Sequence, residues 1–320
     1  MAASSALAIP AAAASTHART GPASPQLSWR LVDTGTTDHF RGLSVVSRRV
    51  AWLGGYNGVV LRTVDGGRTW INASPAGASA LQFRDIEAFS ATRAVAMAAG
   101  SGTDSRLYVT GDGGHTWSLA YQNTNPEAFF DCMAFFNPRH GLVLSDPVDG
   151  KFRILSTRDG GRSWAVLPNA GMPPALSGEA GFAASGECLT TVGNDAWFGS
   201  GGSTVARVFS SRDRGLTWHV ANTPIVAGPT AGVFALAFRN PVTGVATGGD
   251  FANPTAAANV AALSIRRGPW FSPPSGPAGY RSGVTWVPHT RATVIAVGLT
   301  GSDVSYDAAE VSGGPAGTVG

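Results

Sequence analysis

Three arginines stand at the same position of a recurring apolar stretch. Arg41 lies in Phe40-Arg41-Gly42-Leu43, Arg84 in Phe83-Arg84-Asp85-Ile86, and Arg281 in Tyr280-Arg281-Ser282-Gly283. Asp85, Glu87 and Asp131 occur in stretches of the same kind. A guanidinium offers a planar fork of donors that fits a carboxylate or a pair of backbone carbonyls. These six residues therefore form the candidate binding patch. The competing reading is that the charges neutralise one another and cap a channel. Catalysis here would need two carboxylates, or a Tyr/Glu pair, at one channel mouth with depth behind them. No other chemistry is legible. His17, His39, His115, His140, His219 and His289 have no metal-ligand spacing, and Cys132 and Cys188 form no Cys-x-x-Cys. No Gly-x-Gly-x-x-Gly follows a strand and opens a helix. The sequence thus assigns no catalytic residue, no metal and no cofactor.

The elements that position the patch are set by a repeated octapeptide. Thr63-Val64-Asp65-Gly66-Gly67-Arg68-Thr69-Trp70 returns as Thr110 to Trp117, Thr157 to Trp164 and Ser211 to Trp218. Its fixed positions are Asp65, Gly67 and Trp70; Asp112, Gly114 and Trp117; Asp159, Gly161 and Trp164; Asp213, Gly215 and Trp218. The tryptophans fall 47, 47 and 54 residues apart, a period that marks a repeat architecture. The carboxylate can accept N–H bonds from the turn it opens, and the glycine supplies a positive φ. The tryptophan then enters the next strand as an apolar wedge. This is a structural turn.

Three short β-rich strands precede each turn and a fourth follows it. In the fourth unit the first of these is expected at 181–185. Asp146 to Gly150 reads as a tight turn on a blade edge, with a bound cation as the alternative. The fifth unit's turn, at 264–270, lacks the Asp. One four-stranded sheet per repeat, arranged radially, is an all-β propeller. Six antiparallel blades can be counted if Ser28-Trp29-Arg30-Leu31 supplies the outer strand of the last and closes the ring. The resulting division is a leader at 1–27, the propeller at 28–310 and a flexible Gly-rich tail at 311–320.

With 43% hydrophobic and 13% charged residues, the 320-residue chain has material for a large core. The formal charge is +3, Lys151 is the only lysine, and the arginines are scattered along the sequence. No basic run points to nucleic acid, and no apolar run is long enough to span a membrane. The Ala-rich start resembles an export signal without its positive end, which points to an extracytoplasmic location. A bridge between Cys132 and Cys188 stays open. The partner expected is a protein or peptide, and the chain is expected to be a monomer.

The turn is similar to the Asp-box, or BNR repeat, of sialidase-like propellers. Gly55, Gly58 and Arg62-Thr63-Val64-Asp65-Gly66-Gly67 resemble the branch related to the photosystem II stability and assembly factor of plants and cyanobacteria. Bacterial proteins of this branch are often labelled oxidoreductase or glycosyl hydrolase. The resemblance implies seven blades and an export signal, and this chain departs on both. It implies an assembly-type scaffold, with sialidase-like hydrolysis as the alternative. A sialidase would need an Arg triad, a Tyr nucleophile with a Glu, and an Asp acid/base. Phe152-Arg153-Ile154-Leu155 comes near the Arg segment, but Arg106 and Arg207 share its register six residues before their turn Asp. That makes Arg153 a blade feature.

Overall fold

Each of the four repeated turns closes in the same way. In the first, Asp65 Oδ1 accepts the backbone N–H groups of Arg68 and Thr69, both at 3.0 Å. Its Oδ2 accepts the Thr69 hydroxyl at 2.6 Å, while Thr63 Oγ1 accepts the N–H of Gly67 at 2.9 Å. Asp112, Asp159 and Asp213 accept the hydroxyls of Thr116, Ser163 and Thr217 at the same 2.6 Å. Gly66 and Gly67 have φ of 81° and 78°, and Arg214 takes the left-handed conformation (φ 60°) where the other turns have glycine. The degenerate turn of the fifth repeat keeps this path without its Asp, because Arg266 and Arg267 both adopt positive φ.

The computed structural model describes residues 28–307 and the strand Gly317–Thr318. The leader at 1–27 and the rest of the tail beyond 307 lie outside the described residues. Residues 28–31 belong to a separate unit and carry no strand. In the unit Val32–Gly320, six antiparallel sheets form a six-bladed ring. Five have four strands in sequence order. The fifth blade has three, with a single bridge from Leu263 to Phe271 where its fourth would run. The inner strands are Phe40–Val45, Phe83–Ala88, Phe130–Asn137, Leu189–Val192, Ala231–Asn240 and Gly283–Trp286. The only helical element among the described residues is a 3₁₀ turn, Gly102–Asp104, and no helix is long and apolar enough to cross a membrane.

Two expectations of the sequence are corrected. The outer strand of the last blade is Gly317–Thr318, paired with Asp303 and Val304, so the N-terminal stretch at Ser28 does not fill that position. The inner strand of the fourth blade is Leu189–Val192, not 181–185. Residues 181–187 fold across the channel instead, because their polar groups and carbonyls bond to five other blades.

Neighbouring blades share apolar cores. Trp52, Phe83 and Ala96 lie between blades one and two, Met97, Phe130 and Leu155 between two and three, and Phe152, Phe198 and Phe209 between three and four. Two more cores join four to five and five to six. Full burial of each such side chain contributes roughly 1.5–3 kcal/mol. Trp117, Trp164 and Trp218 each pack into the core shared with the preceding blade. Trp70, whose preceding blade is the sixth, joins none of these clusters, and its Nε1–H has no partner among the described residues. Among the described residues no apolar core joins blade six to blade one. Ser44 and Val46 face blade two, so the alternation of a strand turns Leu43 and Val45 the other way, where they are 61% and 66% exposed.

Cys132 and Cys188 are bridged, with Cα atoms 5.8 Å apart. The bond joins the inner strand of blade three to the residue just before that of blade four.

Candidate functional site

The inner strands share a second regularity. Register slips between Phe40 and Gly42, between Phe83 and Asp85, and between Val233 and Ala235. It also slips where Ser145 pairs with Phe130 after Leu144 has paired with Cys132. Arg41, Arg84, Phe234 and Asp131 are thus the extra residues of equivalent bulges, and a bulge re-aims its side chain. All four sit at the mouth where the inner strands begin.

Arg41 and Arg84 converge. Their guanidinium carbons each lie 5.8 Å from the ring centre of Tyr56. Arg84 also lies over Phe129 at 5.9 Å and bonds Gln82 Oε1 through Nε and Nη2, at 3.1 and 2.7 Å. Arg41 Nη1 donates to the Ala184 carbonyl at 3.4 Å, and Arg84 Nη1 to that of Ala183 at 3.3 Å. Both are half-buried, and among the described residues neither forms an ion pair. Arg281 does not join them. It is buried, with Nε 2.6 Å from Asp303 Oδ2 and Nη1 bonded to Thr300 Oγ1 and the Tyr280 carbonyl.

The loop 181–187 plugs this mouth. Besides accepting from the two arginines, it donates Gly181 N–H to Asp146 Oδ1 at 2.8 Å and Ser185 Oγ to the Ser282 carbonyl at 2.5 Å. The Glu187 carbonyl accepts Leu236 N–H at 2.9 Å. Phe182 stacks on Phe234 with centroids 4.0 Å apart, and the exposed Phe251 stands edge-on to both. The mouth therefore has cations on one side and aromatic rings on the other.

Below the plug lies a basin of about 430 Å³ opening at the far mouth, lined in part by Leu43, Asp85, Glu87, Glu187, Thr285 and Trp286. Asp85 Oδ2 accepts Met133 N–H at 2.6 Å, and Glu187 Oε2 accepts Val284 N–H at 2.5 Å. Burial raises all three carboxyls. Asp85 is pushed well above its ordinary value by burial and then by the charges of Glu87 and Glu187, while burial takes Glu87 and Glu187 to about 7. Asp131 is placed apart from them, beside Asp146. Burial and the Asp146 charge raise it against the pull of Arg84, and Asp146 itself is pushed up to about 6 by burial. Asp146 lies in a strand and turns toward Asp131, so the blade-edge turn proper is Asp149-Gly150.

No protein-family model matches the chain, and a search of curated proteins finds no match. Its likeness is to solved structures. YCF48 bound to a D1 peptide is 16% identical over 87% of this chain and 97% of that one, with a TM-score of 0.43. YCF48 from Cyanidioschyzon merolae is 13% identical over 84% and 96%, with a TM-score of 0.44. The GH74 enzyme of Niastella koreensis is 12% identical over 84% of this chain and 45% of that chain, with a TM-score of 0.60. The shared feature is the β-propeller fold.

Of the residues singled out from sequence, Arg41 and Arg84 meet, Asp85 and Glu87 share the basin, and Asp131 and Arg281 belong elsewhere. Sequence reasoning missed Tyr56 and Glu187, and assigned Asp146 to a blade-edge turn rather than to the side of Asp131. Tyr56 follows a Gly-Gly pair at the close of a strand, the one signal that could have placed it at a channel mouth.

Proposed function

We propose that this chain is a non-catalytic Asp-box propeller that binds a protein or peptide partner at the plugged mouth, as an assembly-type scaffold does. The observation that carries this reading is the pair of half-buried guanidiniums, Arg41 and Arg84, that flank Tyr56 and form no ion pair among the described residues. Their donors bond only neutral acceptors, the carbonyls of Ala183 and Ala184, Gln82 Oε1 and the Tyr56 hydroxyl, which a carboxylate can replace with a stronger charge-assisted bond. The aromatic wall of Phe182 and Phe251 across the mouth favours a ligand with an apolar part beside its acid, as a peptide has. YCF48, whose structure with a D1 peptide shares this fold, supplies a precedent for a propeller with a peptide ligand.

The test is a fluorescence-polarisation screen of 12-residue peptides with free or amidated C termini. Binding of acidic or free-carboxylate peptides, weakened at least tenfold by R41Q/R84Q with unchanged melting, supports the reading. No peptide bound, or equal affinity in the double variant, sinks it.

The basin carboxylates favour glycoside hydrolysis as a second reading, since Glu87 and Glu187 are raised to the range of a general acid. Such an enzyme also needs a second carboxylate held ionised. Asp85, Glu87 and Glu187 are all pushed up together, which argues for the scaffold. Turnover of aryl sialosides or xyloglucan that is lost in E87Q would reverse this preference.

A further inference from the structure

The strand order puts two sets of loops on one face of the ring. First and third strands run the same way, so the loops that follow them emerge together. Backbone bonds tie the two sets within a blade: Gly66 N–H to Arg49 O, Gly113 to Thr92, Gly160 to Arg139, Arg214 to Asn194 and Arg267 to Val242. The loops after first strands carry Arg48, Arg49, Arg93, Arg139 and Arg291, and Arg239 stands at the same end of its first strand, one residue before the close. The turns after third strands carry Arg68, Arg158, Arg162, Arg212, Arg214, Arg266 and Arg267. More than half of the 23 Lys and Arg residues thus share one face, opposite the plugged mouth. All but Arg93 are exposed.

The carboxylates there are outnumbered. Asp65, Asp112, Asp159 and Asp213 keep their charge but bond within their own turns, Asp307 follows the third strand of blade six, Asp195 pairs with Arg267 at 2.8 Å, and the basin at the centre holds the buried Asp85, Glu87 and Glu187. Among the described residues, Arg48, Arg49, Arg68, Arg139, Arg158, Arg212 and Arg266 have no side-chain hydrogen bond or ion pair. A net charge of only +3 therefore conceals a polarised molecule.

We infer that this face docks on an anionic lipid surface. The arginines stand in all six blades and spread over a plane, with no stripe that would follow a nucleic-acid backbone. No Phe, Trp or Tyr in these loops is exposed, so the stacking platforms of a single-strand binder are missing. Apolar tips stand among the cations instead: Val64, Leu216 and Val242 are 37%, 48% and 39% exposed. Guanidiniums interleaved with short apolar side chains suit the headgroup boundary of a bilayer. Charge alone attracts the face at low salt, and the apolar tips add contact once it arrives.

The test is vesicle co-sedimentation of the full chain at 0.1 M NaCl. Partition onto vesicles of 70% phosphatidylcholine and 30% phosphatidylglycerol should exceed that onto pure phosphatidylcholine at least tenfold. It should fall by about two orders of magnitude in R139S/R158S/R212S. R106S, on the opposite face, should partition as the native chain does, and circular dichroism should show unchanged melting for every variant. Equal partition onto both vesicles, or no loss in the triple variant, overturns the inference. So does tighter binding of a 30-nucleotide single strand at the same salt.

Discussion

Glu187 Oε2 accepts the backbone N–H of Val284 at 2.5 Å, joining residues 97 positions apart across the central channel. The same residue's carbonyl holds Leu236 N–H, so one glutamate links the plug to blades five and six. The bond is made by a carboxyl that burial raises to about 7.

This makes stability depend on pH from both sides. A carboxyl raised in the folded state binds more protons than its unfolded form, so its contribution is full below about 4.5 and is lost as pH climbs through 7. Asp85, Glu87 and Glu187 all act in this direction. The turn aspartates act oppositely. The Thr116 hydroxyl and backbone hold Asp112 at about 2, so its contribution is present above the usual Asp range and lost as pH falls toward 2. Thermal midpoints measured from pH 3 to 8 should peak near pH 5 and decline toward 8. E187Q, which keeps an acceptor for Val284, should flatten the alkaline limb.

Glu179 holds Arg207. Both are buried, with the guanidinium forked across both carboxylate oxygens and the Ser200 hydroxyl donating to the same carboxylate at 2.6 Å. Removing one partner of such a pair strands a buried charge. E179Q should lower unfolding free energy by about 3–5 kcal/mol in urea titrations, more than Arg153→Gln at the equivalent place in blade three.

The Cys132–Cys188 bond closes a loop of 56 residues between adjacent blades. C132A/C188A should lose about 2–4 kcal/mol of stability. In the native chain, dithiothreitol should lower the melting point, and in the double variant it should have no effect.

Asp159 accepts two backbone N–H groups and two hydroxyls in its turn. D159A should cost about 1.5–3 kcal/mol, the range for hydrogen bonds to a charged group. Peptide binding at the opposite mouth should be unchanged, as read by the same polarisation assay.

The fold was legible because its turn is local: the Asp, the glycine and the hydroxyls that bond one another lie within eight residues and recur with the tryptophan. Residues 181–185 misled because an apolar run bounded by glycines reads as a strand, while its true partners, Arg41, Arg84 and Ser282, lie about a hundred positions or more away. Arg41 and Arg84 were visible as a shared register. The bulge that turns them toward Tyr56 was not, since a slip of one residue leaves no mark in composition. The basic face was hidden for a similar reason. One or two arginines per loop look scattered along a line and become a surface only when the line is wound into a ring.

Among the described residues, blades six and one share no apolar core, unlike every other pair of neighbours. Trp70 stands at that joint without the apolar partners its counterparts have, beside a first strand whose Leu43 and Val45 are uncovered. Blades three and four are stapled by the disulfide, and amide exchange should be slowest there. Blades one and six each share a core with one neighbour among the described residues, and exchange at Leu43 and Val297 should run ahead of the global opening.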